Sequence, residues 1–211
     1  MDIAAIRKEY SLQTLDKEEV DINPFGQFSA WWSEAIKSNI DEVNAMTLAT
    51  SDLSGKPSAR IVLLKGFTEE GFIFFTNYNS HKSAELAINP QAALVFFWKE
   101  LERQIRIEGV VSKTSIAENE QYFSSRPIGS RIGAWASPQS SFVENRSELE
   151  TRVTEMQDRF AQAEINCPPF WGGFIIKPTL FEFWQGRQNR LHDRIQYNLE
   201  NNIWEIARLA P

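Results

Sequence analysis

AMTLATSDLSGKPSARIVLLKGFTEEGFIFFTN (Ala45–Asn77) is the stretch on which the fold turns. It reads as three short strands, AMTLAT (Ala45–Thr50), SARIVLL (Ser58–Leu64) and GFIFFTN (Gly71–Asn77), all rich in β-branched and aromatic residues. Asp52-Leu53-Ser54-Gly55-Lys56-Pro57 supplies turn chemistry between the first two, and a second turn falls around Thr68–Gly71.

The pattern continues downstream. A short helix over Ser80–Ile88 stops before Asn89-Pro90. ALVFFW (Ala93–Trp98) and RQIRIEGVVSK (Arg103–Lys113) follow as strands, the latter alternating Ile105/Ile107 against Gln104/Arg106/Glu108. Ser115 and Glu118 form a capping-box signature for a helix to about Ser125, and Ser147–Glu150 repeats it. The helix behind the second box carries Leu149, Val153, Met156, Phe160 and Ala163 on one face, a stripe suited to core or dimer packing. WGGFIIKP, LFEFWQG, RLHDRIQYNL and IWEIARLAP close the chain as strands, the last two across an Asn201-Asn202 hairpin turn.

Upstream, Asn23 and Pro24 open a helix with apolar Phe25, Phe28, Trp32, Ala35 and Ile36, and Asp2–Tyr10 is a short amphipathic helix or ordered arm. Short strands with few intervening helices point to a β-rich α+β chain whose sheet is an antiparallel barrel with peripheral helices. Residues 1–22 are expected to form an N-terminal arm or lid, and residues 23–211 a single domain.

A net charge of −6 argues against general nucleic-acid binding, which needs a basic footprint. Cations nevertheless cluster at Arg60–Lys65, Arg103–Arg106 and Arg187–Arg194, which suits small anions better than polyanions. The single cysteine, Cys167, excludes an internal disulfide and fits a reducing, cytoplasmic setting; it reads as an ordinary loop thiol. MDIAAIRKEY lacks the apolar run of a secretory leader, and Ile61–Leu64 and Leu94–Trp98 are too short to span a bilayer. The 15 Phe and 7 Trp are mostly core filler, or line a planar ligand.

Four constellations could carry chemistry. If Arg190–Arg194 is a strand, its two-residue period puts Arg190, His192 and Arg194 on one face, either as a ligand surface or as a solvated edge among acidic neighbours. Arg60 and Lys65 bracket an apolar run and fall on opposite faces of a regular strand. Ser80-His81-Lys82 opens a helix, where free N–H groups favour an anion, although an exposed lysine on a solvated turn reads the same way. Tyr122 and Arg126 lie one helical turn apart with Ser130 beyond: either a phosphate-monoester donor set or a simple stacked pair. GxGxxG, Walker A and GxSxG motifs are absent, and two histidines with one cysteine give a metal site or a Cys/His nucleophile little support. Phosphate-sized cation pockets without conventional catalytic machinery favour a cofactor that carries the chemistry.

RKEY (Arg7–Tyr10), RIVLLKG (Arg60–Gly66), FFTNYNSHK (Phe74–Lys82), LERQIRIEG (Leu101–Gly109), YFSSRPIGSRIGAWASPQSS (Tyr122–Ser141), FWGGF (Phe170–Phe174), FWQGRQNRLHDR (Phe183–Arg194) and the closing RLAP resemble the pyridoxine/pyridoxamine 5′-phosphate oxidase family over nearly the whole chain. The resemblance implies an FMN-binding split barrel and a homodimer holding two FMN sites at its interface. It also implies oxidation of a C4′ amine or alcohol to pyridoxal 5′-phosphate, with O₂ reduced to hydrogen peroxide. On it, Arg60 and Lys82 hold the FMN phosphate, with Gln139 and Ser140 assisting from the partner subunit. Val62, Leu63 and Leu64 lie along the flavin ring, and Lys65, Phe75, Thr76, Gln104, Trp184 and Arg194 complete that site. Lys65, Tyr122, Arg126 and Ser130 grip the substrate phosphate, and Arg190 and His192 orient the substrate as the catalytic pair. Arg7 and Tyr10 close the site as an arm, and Asp193 is structural. No metal is implied.

Two positions depart from the family pattern: His81 stands where Arg is common, and Phe75 where Tyr is frequent. A phosphate-facing His81 would make FMN affinity fall as pH rises through its titration. Two rival readings are another split-barrel flavin oxidase, acting on a phenazine precursor, and a flavin-binding protein without turnover.

Overall fold

The protein is described by a computed structural model, which covers residues 3–5 and 8–211. Nine strands form one antiparallel sheet in the order β2-β1-β5-β6-β7-β4-β3, with β8 and β9 branching from β7. The strands are β1 (Ala45–Ser51), β2 (Pro57–Leu63), β3 (Gly66–Thr68), β4 (Gly71–Asn77), β5 (Gln91–Trp98), β6 (Arg103–Lys113), β7 (Trp171–Gln185), β8 (Asp193–Glu200) and β9 (Ile203–Leu209).

β7 is the hub. One edge pairs with β6 from Lys113↔Phe174 to Arg103↔Gln185. Its other edge is shared: Trp171–Ile176 pair with β4, and Leu180–Gln185 pair with β8. The sheet therefore forks, giving the split barrel that the strand pattern and the family resemblance anticipate.

WGGFIIKP and LFEFWQG, expected as separate strands, are one strand of 15 residues. Pro178 has no N–H for the ladder, and the chain absorbs it with a bulge: Glu108 pairs with Leu180 and Gly109 with Pro178, leaving Thr179 as the extra residue. The strands come so close here that a Cβ on Gly109 would lie 2.2 Å from the Lys177 carbonyl oxygen.

The long helix α1 (Pro24–Lys37) lies across the sheet, capped by Asn23, whose Oδ1 accepts from Phe25 N at 3.0 Å. It buries Phe25, Phe28, Trp31 and Ala35. Trp31 is buried, while Ile36, expected in the stripe, is exposed near the end of the helix. Phe28 is fully buried and meets the rings of Phe67, Phe72 and Phe96 edge-on at 4.8–5.5 Å. Most of the aromatics are core.

The remaining helices flank the sheet. α2 (His81–Ile88) follows β4, and α3 (Ile116–Ser125) carries the reciprocal Ser115–Glu118 box as expected. α4 (Ile128–Ala136) was not foreseen. α5 (Arg146–Arg159) is capped by Asn145 accepting from Glu148 N at 3.0 Å, two residues before the Ser147–Glu150 box expected, because the Asn145 side chain is already in reach of that amide. No residue of α5 is buried, so its apolar stripe is not core in this chain. Asn201 and Asn202 both have positive φ, as a tight β8–β9 turn requires. Among the described residues, no helix is long and apolar enough to cross a membrane.

Candidate functional site

A cavity of about 710 Å³ opens where the end of β2, strand β4 and the start of α2 face α3 and α4. Arg60, Lys65, Lys82 and Arg126 all line it. Arg60 and Lys65 were expected on opposite faces, but β2 ends at Leu63, so Lys65 escapes the strand alternation and turns to the same side.

The cations form two groups. In the first, Lys82 Nζ lies 3.2 Å from Thr76 Oγ1, 3.3 Å from Ser80 Oγ and 3.5 Å from Gln139 Oε1. Burial, then the charge of Arg60, holds the Lys82 ammonium below the usual lysine value. Arg60 is oriented from behind by Thr50, Ser58 and the buried Glu85 carboxylate, 3.5 Å away. In the second group, Lys65, Tyr122, Arg126 and Ser130, the set expected for a second phosphate, all line the same cavity. The Arg126 guanidinium lies 4.7 Å from the Trp171 ring centroid, and burial lowers its pKa. Its Nη1 is buried with no hydrogen-bond partner, and Tyr122 stacks on Phe75 at 4.0 Å rather than on Arg126. Among the described residues, Lys65, Lys82 and Arg126 form no ion pair with a carboxylate. Concentrated, partly desolvated positive charge with an orphaned donor is a site for anions, and two groups provide for two.

Gln104, Trp184 and Arg194 do not line this cavity. They stand side by side across β6, β7 and β8, in register Gln104↔Trp184↔Arg194. Arg194 is held by Glu182, with Nε and Nη2 at 2.8 and 3.1 Å from its two oxygens, and donates to the Ala210 carbonyl at 2.8 Å. His192 lies 4.6 Å from the Trp184 ring, and Tyr10 closes over both at 5.8 and 6.0 Å. Within one chain the expected single site is thus two half-sites: Gln104, Trp184 and Arg194 lie across β6, β7 and β8, whereas the cations come from β2, α2 and the segments after β2 and α3, beside β4.

The shared strand face for Arg190, His192 and Arg194 is corrected. Strand β8 begins only at Asp193; Arg190 ends a tight turn in which Asn189 and Arg190 both have positive φ. The turn is fixed by Arg187 N donating to His192 Nδ1 at 3.1 Å. Burial, then the charge of Arg190, lowers the His192 pKa, so the imidazole favours its neutral form with the proton on Nε2. Asp193 is structural, as expected: it accepts from Arg208 at 2.7 Å and from Leu15 N at 3.1 Å.

Other expectations fall out residue by residue. Val62, Leu63, Phe75 and Thr76 line the cavity, whereas Leu64 is a core residue. Gln139, expected from a partner subunit, reaches Thr76 within its own chain at 3.0 Å, because α4 returns the chain over β4. Ser140 is exposed, with φ +71, and does not line the cavity. His81 is exposed and lies 3.7 Å from Glu85 instead of lining the cavity. Arg7 lies outside the described residues. Trp171 and Ser137 line the cavity without having been singled out; the only signal for Trp171 was the aromatic FWGGF run.

Residues 32–160 match the family described as pyridoxamine 5′-phosphate oxidase, and residues 171–211 its C-terminal dimerisation region. The chain belongs to the pyridoxamine 5′-phosphate oxidase family. It is an oxidoreductase and carries a dimerisation region. It is 54% identical over 211 residues to a pyridoxine/pyridoxamine 5′-phosphate oxidase of a Cyanothece species, covering 100% of this chain and 99% of that one. It is 56% identical over 210 residues to pyridoxine/pyridoxamine 5′-phosphate oxidase 1 of Ralstonia nicotianae, covering 99% of each. Among solved structures, PhzG from Burkholderia lata, in complex with tetrahydrophenazine-1-carboxylic acid, superposes with a TM-score of 0.90 at 25% identity, over 97% of this chain and 100% of that one. A related FMN-binding protein from Nostoc punctiforme, at 16% identity and TM-score 0.70 over 90% and 99% of the two chains, shares the fold.

Proposed function

We propose that the protein oxidises pyridoxamine 5′-phosphate and pyridoxine 5′-phosphate to pyridoxal 5′-phosphate. The observation that carries this reading is the pair of cation groups in one cavity, with Arg126 Nη1 buried and unanswered. Its cofactor is FMN, whose phosphate suits Arg60 and Lys82, with Thr76 and Gln139 beside them. The second group, Lys65, Tyr122, Arg126 and Ser130, then grips the phosphate of the substrate, which a non-phosphorylated ligand would leave unused. That argues against a phenazine precursor as substrate, despite the likeness to PhzG.

Bound FMN would supply hydride acceptance from C4′ with O₂ as the final electron acceptor, giving peroxide; with the amine substrate, water would supply the aldehyde oxygen and ammonia would leave. Lys65 and Arg126 anchor the substrate so that its C4′ is carried to a fixed place, which is chiefly a positioning contribution. Trp171 keeps the Arg126 guanidinium stacked and partly dry, raising the value of each ionic contact it makes. We assign Gln104, Trp184, Arg190, His192 and Arg194 to the same site, supplied across a homodimer interface from the second copy's β8 branch. The dimerisation region contains all of these but Gln104, which pairs with Trp184 from β6, and supports the assignment. His192, neutral and donating through Nε2, orients the substrate with Arg190. The half-buried lone Cys167 suits cytoplasmic conditions, where we place the reaction.

The test is to supply FMN and pyridoxamine 5′-phosphate to the purified protein and follow both pyridoxal 5′-phosphate and peroxide. Stoichiometric formation of the two is expected. A protein that binds FMN but forms no aldehyde would be a flavin carrier, and one equally active on the unphosphorylated amine would refute the role of the second cation group.

A further inference from the structure

Glu102 is an unusual residue for its position. It ends the turn before β6 with φ +55, a left-handed conformation rare for a glutamate, and it is only 3% exposed. A buried carboxylate needs donors. Every polar partner of this one, among the described residues, lies on the N-terminal arm: Ser11 N at 2.8 Å, Leu12 N at 3.2 Å and Lys8 Nζ at 3.5 Å. Its backbone faces the other way, with its carbonyl accepting from Gly186 N at 2.7 Å and from Gln185 Nε2 at 3.3 Å. Glu102 thus ties the arm to the strand end that carries Gln104 and Trp184.

The arm is seated as well as tied. Tyr10 rests on Gly186, where an added Cβ would lie 2.7 Å from the ring, and its own ring closes on Trp184 and His192. The neighbouring Glu9 carboxylate accepts from Asn189 N at 3.3 Å, in the left-handed turn that presents Arg190. Two arm contacts therefore bear on the half-site itself.

We infer that Glu102 is a positioning residue: it latches the arm so that Tyr10 and the Asn189–His192 turn are held over the substrate side of the site. The inference rests on the proposed function for its kinetic consequence, but the latch itself can be read without turnover. In Glu102→Ala holoenzyme, amide exchange at Ser11 and Leu12 should quicken by at least about tenfold, the equivalent of one charge-assisted hydrogen bond. KM for pyridoxamine 5′-phosphate should rise about tenfold while kcat changes less, and Glu102→Gln, which keeps an acceptor oxygen, should recover part of the loss.

A double-mutant cycle separates the latch from a general structural role: in a Tyr10→Ala background, Glu102→Ala should raise KM no further. Gly186→Ala, which displaces Tyr10 from its seat, gives the same comparison should Glu102→Ala fail to fold. Unchanged exchange at Ser11 and Leu12, or an undiminished KM effect in the Tyr10→Ala background, would overturn the inference. If wild-type holoenzyme does not oxidise pyridoxamine 5′-phosphate, the functional reading falls, while the exchange measurement still decides the latch.

Discussion

The cavity and the β8 branch handle positive charge in opposite ways. In the cavity, Lys65, Lys82 and Arg126 have no carboxylate partner among the described residues, and burial weakens the hold of Lys82 and Arg126 on their protons. On the β8 branch Glu182 takes both Arg106 and Arg194, and Asp193 takes Arg208 and Arg187. An unanswered cation is stabilised by whatever anion arrives; an answered one is first fixed in place, as Arg60 is by Glu85. On the function proposed above, the first region binds and the second aligns.

Removing an answering carboxylate should produce the largest effect, because it turns the second kind of region into the first. Glu182 is buried and satisfies two guanidiniums, so Glu182→Ala should cost about 3–5 kcal/mol in chemical denaturation, the range for breaking a buried ion pair. Burial alone would raise the Glu182 pKa, but the hydrogen bonds and charges of Arg194 and Arg106 more than reverse this and hold it below the ordinary glutamate value. A lowered carboxylate contributes stability that is complete above its unfolded pKa and lost as pH falls through the folded one. The wild type should therefore lose stability on acidification that a Glu182→Gln variant has already forfeited.

Next in size, Arg126→Ala should raise KM for pyridoxamine 5′-phosphate about 100-fold, corresponding to ~2.7 kcal/mol, and leave FMN content unchanged. Equal losses with unphosphorylated pyridoxamine would erase the distinction between binding and aligning cations. Arg190→Ala should instead lower kcat about tenfold or more with FMN still bound, as an aligning residue would. Wild-type turnover in that variant would remove Arg190 from the site.

Smaller effects lie in the pH profiles. Because the Lys82 ammonium loses its proton below the usual lysine range, FMN affinity should start to fall at a lower alkaline pH than an ordinary lysine dictates. Lys82→Arg should move that fall upward, as fluorescence titration of FMN can show. His192, its pKa lowered by burial and Arg190, should stay neutral to more acid pH than an ordinary histidine, so the acid limb of kcat/KM should lie below pH 6.5. Activity that instead falls as pH rises through the imidazole titration would mean the imidazole works as a cation.

What the residues disclosed in advance depended on the range of the interactions involved. Strand alternation and the Asn23 and Ser115 caps are local and stand where the pattern put them, whereas Arg126 falls just past the end of α3 with extended backbone, so it does not share a helix face with Tyr122, though both line the cavity. The Arg190–Arg194 segment misled because two consecutive left-handed residues are unfavourable by themselves; alongside the local Arg187–His192 bond, the Glu9 contact that holds them comes from the far end of the chain. α4 escaped notice since the short IGSRIGAWA carries two glycines, poor helix formers, and its position decides that Gln139 meets its own Thr76. The division into two half-sites could not be read locally at all, because it follows from β7 lending one edge to two branches.

The extra residue at Thr179 has a consequence of parity. Before it, the even-numbered Phe174 and Ile176 of β7 point into the core; after it, the odd-numbered Phe181 and Phe183 do. Trp171 and Trp184, one odd and one even, consequently both turn away from the core, one to the cavity and one to Gln104 and Arg194. A single-residue deletion here would exchange Trp184 with Phe183 and leave every residue beyond it facing the wrong medium. The length of this strand is thus a counted quantity, closed to insertion and deletion in a way that the Asp52–Pro57 turn is not.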